Sequence, residues 1–273
     1  MGAGGFVGRE CSELFRRAGY PMLGLSRNHV DLLEPGASAA LCDLLEPDDT
    51  LIVTSALAPV KNTTMLVDNI RMMEAVIHAV KAKPVRHIVY VSSDAVYKDS
   101  LQPLTEASCA EPGSLHGAMH LAREVMLRNE LSIPTVMVRP TLIYGAGDPH
   151  NGYGPNRFVR SAKAGQDIVL FGKGEERRDH VYIGDVAATI HRCVLQRAAG
   201  EVNAVSGKVT SFREIAEMVV GLTGSASRIV ESPRQGPMPH NGYRSFDRGL
   251  CSTMFPDLVA TPLGEGLART LAS

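Results

Sequence analysis

The stretch Gly2-Ala-Gly-Gly5-Phe-Val-Gly8 decides the fold of this chain, because its glycines recur at a spacing of three. Gly2 permits a tight turn, Gly5 lets the backbone approach a ligand, and Gly8 lets the following helix pack against a sheet. That helix opens with free backbone amides, which suit a pyrophosphate. The stretch therefore predicts a dinucleotide site contacted by Gly2, Gly5, Phe6, Val7 and Gly8.

A turn of this kind normally follows a buried strand, but only Met1 precedes it here. Such a strand would lie in the middle of the sheet, where two neighbouring strands need its hydrogen bonds. We therefore expect either that upstream residues are absent from this sequence or that the start codon was assigned late.

Short apolar runs alternate with stretches at helical spacing along the chain. The predicted strands are Tyr20–Leu25, Leu51–Thr54, His87–Val91, Thr135–Val138, Asp167–Phe171 and Val202–Val205. The predicted helices cover Phe6–Ala18, Met65–Val80 and Leu115–Met126, and a capping box at Ser211 and Glu214 starts another that ends near Leu222. This alternation predicts an α/β fold of the Rossmann type, with a doubly wound parallel sheet covered on both faces.

Composition excludes several classes of function. The 273 residues carry a net charge of −1, so no basic surface suits nucleic acid or an anionic membrane. The five cysteines form no CxxC pair, which is typical of reduced thiols in the cytoplasm. No apolar run reaches the roughly 18 residues of a membrane span, and no signal peptide is evident. We expect a cytoplasmic protein that binds neither nucleic acid nor membrane.

Two polar residues refine the expected cofactor. Arg27 follows the second predicted strand, where an acidic residue would bind the ribose diol of NAD. A guanidinium there suits the 2′-phosphate of NADP, so we expect NAD(P) with a preference for NADP, unless Arg27 is only a solvated surface residue. Asp43 is a candidate for contact with the adenine amino group.

Four motifs in order resemble a known family: Gly2–Gly8, Ser92-Ser93-Asp94-Ala-Val-Tyr97, Arg139-Pro140-Thr-Leu-Ile-Tyr144-Gly145, and Arg178-Asp179-His-Val-Tyr182-Ile-Gly-Asp185-Val-Ala. Together they resemble the extended short-chain dehydrogenases, the NAD(P)-dependent epimerases and dehydratases of sugar nucleotides. The resemblance covers nearly the whole chain. It implies a dinucleotide-binding domain at 1–150 with 179–200, and a smaller C-terminal substrate lobe at 151–178 with 201–273.

The resemblance also implies further contacts and an assembly. Additional cofactor-binding residues would be Leu44, Ala56, Leu57, Asn69, His120, Pro140 and Leu142. The helices predicted at Met65–Val80 and Leu115–Met126 would pair across a twofold axis, as they do in the family. We therefore expect a homodimer.

The family's chemistry would fall on Ser93 and Asp94. In the family, a hydride moves from a sugar carbon to the nicotinamide, and a hydroxyl side chain, here Ser93, hydrogen-bonds the reacting oxygen. Asp94 stands where some members that eliminate water or reduce a keto sugar carry a general acid. The alternative for Asp94 is a carboxylate that caps local backbone amides.

The chain departs from the family at its catalytic helix. Where the family has a tyrosine and, four residues later, a lysine, this sequence has His116 and His120. Imidazole titrates near pH 6.5, so His116 could act as base without a lysine, and His120 could bind the nicotinamide ribose. Alternatively the redox site is lost and the protein is a non-catalytic NAD(P)-binding sensor or scaffold. A zinc site with Asp94 as third ligand is a further alternative, which we do not favour because no other ligand clusters nearby, so no metal is expected.

The substrate expected from the resemblance is a sugar nucleotide. Asn156 and Arg157 begin a helix after a glycine-rich loop and could donate to the diphosphate. Arg178 matches the family's phosphate-binding arginine, and Arg244 is a second candidate. Surface salt bridges are the alternative role for both arginines. The sugar and the choice among epimerisation, dehydration and reduction stay open.

Overall fold

The computed structural model describes residues 1–273 and shows two compact units. The first unit contains Met1–Lys98, Glu106–Pro140 and Ala187–Asn203. The second unit contains Asp99–Thr105, Thr141–Val186 and Ala204–Ser273. The assignment of cofactor binding and substrate binding to separate stretches of the chain stays a prediction.

The helices are α1 (Phe6–Arg17), α2 (Ala37–Leu44), α3 (Thr63–Ala82), α4 (Leu115–Glu130), α5 (Pro155–Lys163), α6 (Ile183–Gln196), α7 (Phe212–Thr223), α8 (Gly249–Met254) and α9 (Leu263–Ala272). The strands are β1 (Thr50–Val53), β2 (His87–Val91), β3 (Thr135–Pro140), β4 (Leu142–Tyr144), β5 (Ile168–Phe171), β6 (Arg177–Tyr182), β7 (Gly200–Ala204), β8 (Val209–Ser211), β9 (Ile229–Ser232) and β10 (Tyr243–Arg244). No helix is both long enough and apolar enough to cross a membrane.

The first unit is built on a four-stranded sheet in the order β1-β2-β3-β7. β1 pairs with β2, and β2 with β3, in parallel register. Ile88, Val89 and Tyr90 are buried in succession, as expected for a strand covered on both faces. The predicted Rossmann-type α/β fold is confirmed.

The second unit holds two smaller sheets. One has the order β10-β6-β4 with β8 antiparallel to β6, and the other pairs β5 with β9 in parallel. α5, α7 and α9 close a core that includes Phe158, Ile215 and Leu267. The capping box predicted at Ser211 and Glu214 is present and starts α7.

The strand predicted at Tyr20–Leu25 is wrong, since this segment has no strand structure. β1 is the last strand on its side of the sheet. No strand lies between β1 and this segment, and a strand needs a neighbour to hydrogen-bond. Leu25 instead accepts hydrogen bonds from the amides of Gly2 and Ala3, at 2.8 and 3.0 Å.

Met1 forms a single parallel rung on the free edge of β1. Its amino group donates to the Ile52 carbonyl at 2.7 Å, and its carbonyl accepts from the Thr54 amide at 3.0 Å. Burial lowers the pKa of the Met1 amino group to about 6. Beyond Met1 lies a cavity of about 590 Å³, here named the strand slot, with Tyr20–Leu25 on one wall and Thr50–Ile52 on the other.

An added strand should fill the strand slot and stabilise the fold. An extended apolar segment of about five residues fused before Met1 should raise the free energy of unfolding by about 2 kcal/mol. Hydrogen bonds of about 1 kcal/mol each, together with apolar burial, exceed the ~1–2 kcal/mol cost of ordering each residue. Urea unfolding measures the gain. The same segment with alternating prolines, which cannot donate to the ladder, should give none, and equal gains would contradict the expectation.

A buried histidine in β6 makes the second unit sensitive to acid. Burial lowers the pKa of His180 to about 3, whereas imidazole in an unfolded chain titrates near 6.5. Below pH 6.5 the unfolded chain therefore binds a proton that the folded chain excludes, so acid favours unfolding. Between pH 7 and pH 5, this residue should cost the folded state about 2 kcal/mol.

His180→Phe should remove that pH-dependent loss, because a phenyl ring does not titrate and can keep the edge contact with Phe212. Urea unfolding at pH 7 and pH 5 measures the difference for each protein. His78→Phe, on the exposed side of α3, is the control and should retain the wild-type difference. The same acid loss in His180→Phe as in the wild type would refute the assignment.

Candidate active site

The glycine turn is held by contacts that leave no room for side chains. A Cβ atom on Gly8 would overlap the Gly2 carbonyl oxygen, and one on Gly2 would lie 2.5 Å from Thr54 Oγ1. Gly2 also has a φ of +85°, which favours glycine. Gly5 caps α1 without a side-chain hydrogen bond, so the amides of the first turn are left for a ligand.

Gly8→Ala should weaken dinucleotide binding at least about tenfold, because the added methyl group would push α1 away from the turn. That corresponds to about 1.4 kcal/mol, within the ~1–3 kcal/mol typical of overpacking. Calorimetric titration with NAD and NADP measures the change. Gly4→Ala is the control, because the nearest atom to its Cβ would be Ser26 Cβ at 3.9 Å. Unchanged affinity in Gly8→Ala would contradict the prediction.

A cavity of about 340 Å³ lies beside the turn within the first unit and is named the glycine-loop cavity. Gly2, Gly4 and Gly5 line it, together with segments that follow the apolar stretch 20–25 and β1. Arg27 also lines it, and its Nε donates to Asp31 at 2.7 Å while most of its side chain stays in solvent. The cradle and the adjoining cavity fit a dinucleotide.

The predicted adenine contact lies elsewhere. Asp43 and Leu44 end α2, Asp43 is exposed, and Leu44 lines the strand slot, so neither borders the glycine-loop cavity. Asp31 and Leu32 border it instead. Asp31-Leu32 and Asp43-Leu44 have the same sequence. Only the packing of the segment that follows Arg27 shows which of the two pairs borders the cavity.

Two further predicted cofactor residues do border the cavity. Ala56 and Leu57 line it directly. Asn69 is fully buried in α3 and uses its amide on backbone: Oδ1 accepts from the Leu57 amide at 3.0 Å, and Nδ2 donates to the carbonyls of Leu57 and Met65. Asn69 therefore holds the cavity wall. Pro140 is buried at the end of β3, and Leu142 begins β4 with its side chain 42% exposed.

The Ser93–Asp94 turn follows β2 directly and meets the catalytic helix. Ser93 Oγ accepts a hydrogen bond from the Ala95 amide at 3.1 Å and caps the short 3₁₀ turn Asp94–Val96. A Cβ on Gly117 would overlap the Ala95 carbonyl oxygen, so this glycine lets α4 rest on the turn. His116 directly precedes Gly117, so it lies beside the place where α4 touches the turn.

His116 and His120 occupy successive turns of one face of α4. Their rings meet edge to face, with centroids 4.7 Å apart. His120 is buried, and its Nδ1 lies 2.7 Å from the hydroxyl of Tyr90 on β2. Burial, followed by His116 and Arg123, holds the pKa of His120 well below its usual value. His120 is therefore neutral at physiological pH.

A buried ion pair fastens α4 to the sheet behind this turn. Arg139 on β3 donates to both oxygens of Glu124, at 2.9 and 2.6 Å. Ser92 donates to the same carboxylate at 2.6 Å. Arg139 also donates to Tyr97 Oη, which in turn donates to Asn203. The network fixes the ends of β2 and β3 around the Ser93–Asp94 turn.

In the second unit, two predicted phosphate arginines are neighbours. Arg178 and Arg244 are register partners on β6 and β10, and both are buried. Arg178 Nε donates to Glu176 at 2.7 Å, and Arg244 donates to Asp99 at 2.6 Å. The carboxylate partner of Arg178 is buried, whereas that of Arg244 is half exposed.

The other predicted substrate residues lie at the start of α5. Asn156 accepts from the Gly145 amide at 2.9 Å and so ties the glycine-rich loop to the helix. Arg157 is exposed on the same first turn. No group of three His, Cys, Asp or Glu side chains is arranged to hold a metal ion.

Fold and site define a class of protein. A parallel sheet, a glycine turn that opens a helix and a cavity beside that turn are the features of a Rossmann-type dinucleotide-binding protein. A model of the NAD dependent epimerase/dehydratase family matches residues 1–205, about three quarters of the chain. The chain belongs to that family.

Curated relatives span most of the chain. A UDP-N-acetyl-alpha-D-glucosaminuronate decarboxylase of Bacillus cytotoxicus is 26% identical over 88% of this chain and 84% of its own length. A UDP-glucose 4-epimerase of Mycolicibacterium smegmatis is 28% identical over 78% of this chain and 69% of its own.

Solved structures share the fold. RMD from Pseudomonas aeruginosa, complexed with NADPH, superimposes with a TM-score of 0.84 at 20% identity, covering 100% of this chain and 96% of that one. UDP-glucuronic acid 4-epimerase from Bacillus cereus, in complex with UDP-glucuronic acid and NAD, gives 0.82 at 20% identity, covering 99% and 96%.

Sequence reasoning missed Asp31, Tyr90 and Arg123. A signal existed for Arg123, since it lies seven residues after His116 and so shares its helix face. Tyr90 lies in the predicted strand His87–Val91, and its contact with His120 depends on how α4 packs against the sheet.

Proposed function

We propose that this chain is an NAD(P)-dependent epimerase, dehydratase or reductase that acts on a nucleotide sugar by hydride transfer through a keto-sugar intermediate. The observation that carries the proposal is the close contact of α4 with the Ser93–Asp94 turn through Gly117. That contact gathers a hydroxyl, a carboxylate and two imidazoles in the same unit as the glycine cradle. The curated relatives act on UDP sugars, which supports the substrate class.

Each residue has a distinct part in the proposed reaction. Nicotinamide, when bound, accepts and returns the hydride of the sugar carbon. His116 takes the proton of the sugar hydroxyl as that carbon is oxidised, and Ser93 hydrogen-bonds the same oxygen. Asp94 supplies a proton when water is eliminated or a keto sugar is reduced.

The cofactor and substrate contacts follow from the cavities and charges. The turn amides and Gly2, Gly5, Phe6, Val7 and Gly8 hold the pyrophosphate, and Asp31 replaces Asp43 as the proposed adenine contact. Arg27 at the rim of the cavity supports a preference for NADP. Arg178 and Arg244 bind the diphosphate of the sugar nucleotide, with Asn156 and Arg157 at the start of α5. Leu44 is no longer proposed as a contact.

The proposed setting is a cytoplasmic homodimer. All five cysteines are free thiols, which agrees with a reducing compartment. α3 and α4 pack side by side, and both expose apolar side chains, Val67 on α3 and Val125 on α4. Those faces would meet their copies across a twofold axis.

A panel of UDP- and dTDP-sugars with NAD or NADP tests the function. We expect a new sugar by NMR, or a change in nicotinamide absorbance, with at least one substrate. Calorimetry should give tighter binding of NADP than of NAD, and equal or tighter binding of NAD would remove the NADP preference. Dinucleotide binding without any turnover would favour the sensor or scaffold alternative, since Arg178 and Arg244 already have carboxylate partners within the second unit.

A further inference from the structure

Arg123 is a buried cation without a carboxylate partner. It is fully buried in α4, its Nη2 donates to the Ser55 carbonyl at 3.0 Å, and its Nε has no hydrogen-bond partner. It also contacts the Met119 sulfur at 3.9 Å and Tyr90, whose side chain it hydrogen-bonds and whose ring centre lies 5.1 Å from the guanidinium carbon. Burying such a charge costs several kcal/mol unless it is compensated, so its retention needs a reason beyond stability.

The position of Arg123 suggests that reason. It lies three residues after His120, on the face of α4 that carries both histidines. Ser55, to which it donates, lines the glycine-loop cavity. The positive charge of Arg123 therefore lies between the wall of the cofactor cavity and the two histidines. Of these, His120 is neutral at physiological pH.

Tyr90 determines which nitrogen of His120 carries the proton. The phenol is buried, and burial raises its pKa to about 12, so it stays protonated. Its oxygen accepts the hydrogen bond of Arg123, which leaves the hydroxyl proton to be donated to His120 Nδ1, 2.7 Å away. A neutral imidazole has a single N–H, and with Nδ1 accepting, that N–H is on Nε2.

On the turn that packs against α4, Asp94 accepts a hydrogen bond from Ser93 Oγ at 3.4 Å and is a further carboxylate near the pair. On α4, Glu124 is engaged by Arg139 and Ser92. On α3, which packs against α4, Arg71 faces Asp68 at 4.0 Å. His116 and Arg123 are thus the charged or titratable neighbours that act on His120 from its own helix, and Tyr90 acts from β2.

We propose that Tyr90 and Arg123 are positioning residues for the histidine pair. Tyr90 holds His120 as the Nε2–H tautomer, and the Arg123 guanidinium adds to the effect of burial in disfavouring a second charge there, so that a proton taken up by the pair lies on His116. Arg123 thereby supplies the fixed positive charge of the site. The inference rests on the proposed function for its catalytic meaning, since His116 must release its proton in each turnover.

Nitrogen NMR of the full chain, with ¹⁵N-labelled histidine and no substrate, tests the tautomer. The His120 signals are assigned by their loss in His120→Gln. In the wild type at pH 6 we expect one protonated nitrogen at Nε2 and one bare nitrogen at Nδ1. In Tyr90→Phe the two nitrogens should average as both tautomers become populated. An Nδ1–H tautomer in the wild type, or an unchanged spectrum in Tyr90→Phe, would overturn the role of Tyr90.

A charge-deletion pair tests Arg123. In a nitrogen NMR titration from pH 7 down to the acid limit of the fold, Arg123→Met should raise the pKa of His120, whereas Arg123→Lys, which keeps the charge, should stay near the wild type. Equal spectra for the two variants would overturn the role of the charge, and melting curves show that both are folded. These spectra need no turnover, so they stand even if His116 proves not to be the base.

With a substrate in hand, Tyr90→Phe should lower kcat about tenfold and leave KM unchanged.

Discussion

His116→Ala should lower turnover of the nucleotide-sugar substrate by about 10²–10⁴-fold, the usual contribution of a positioned general base. The reason is that no other side chain of α4 can take the hydroxyl proton. His120 is buried, neutral and committed through Nδ1 to Tyr90. Initial rates with the substrate found in the sugar panel measure the loss. Coenzyme affinity should stay within about twofold, because His116 does not line the glycine-loop cavity.

Two matched variants sharpen this result. His116→Tyr introduces a phenol that titrates near 10, and with neutral His120 in place of a lysine it should stay far below the wild type at neutral pH. His78→Ala, exposed on α3, should retain wild-type turnover. Full activity of His116→Ala would exclude His116 as the base and direct attention to Asp94.

Glu124→Leu should lower the free energy of unfolding by about 3–5 kcal/mol, the cost of breaking one side of a buried ion pair. Arg139 would keep its charge in the interior, with Tyr97 Oη as its remaining hydrogen-bond partner and the Glu201 carboxylate 3.8 Å away. Ser92 would also lose its acceptor. Urea unfolding at pH 7 measures the change.

The double variant Glu124→Leu with Arg139→Met separates charge from packing. Removing both ions should recover most of the loss, since buried pairs can be exchanged for apolar residues at little cost. Lys81→Leu is the control, because its pair with Glu130 is exposed and should contribute no more than about 1 kcal/mol. A double variant no more stable than Glu124→Leu would show that packing around Glu124, not the stranded Arg139, causes the loss.

Much of the fold could be predicted because its signals are local. The spacing of Gly2, Gly5 and Gly8, the apolar run His87–Val91 and the capping box at Ser211 each depend on residues close in sequence. The structure has all three features where they were expected. The strand predicted at Tyr20–Leu25 failed because a strand also requires a partner, and no apolar pattern shows whether that partner is present.

The candidate site was predicted less completely. The order of motifs identified Ser93, Asp94, His116 and His120, and the structure places them on one turn and one helix that touch at Gly117. The same reasoning named Asp43 as the adenine contact, whereas the acidic residue that borders the glycine-loop cavity is Asp31. Asn69 was named as a cofactor contact, yet its amide is used on the backbone of Leu57.

The sequence by itself determined the class of fold, the glycine cradle and the family, because helix period, strand alternation and motif order are properties of neighbouring residues. The tertiary structure alone decided which acidic residue borders the cavity and which side chains surround His120. Those outcomes depend on contacts between residues far apart in the chain, such as Tyr90 with His120 and Arg123 with Ser55. Packing sets such contacts, and no local pattern encodes them.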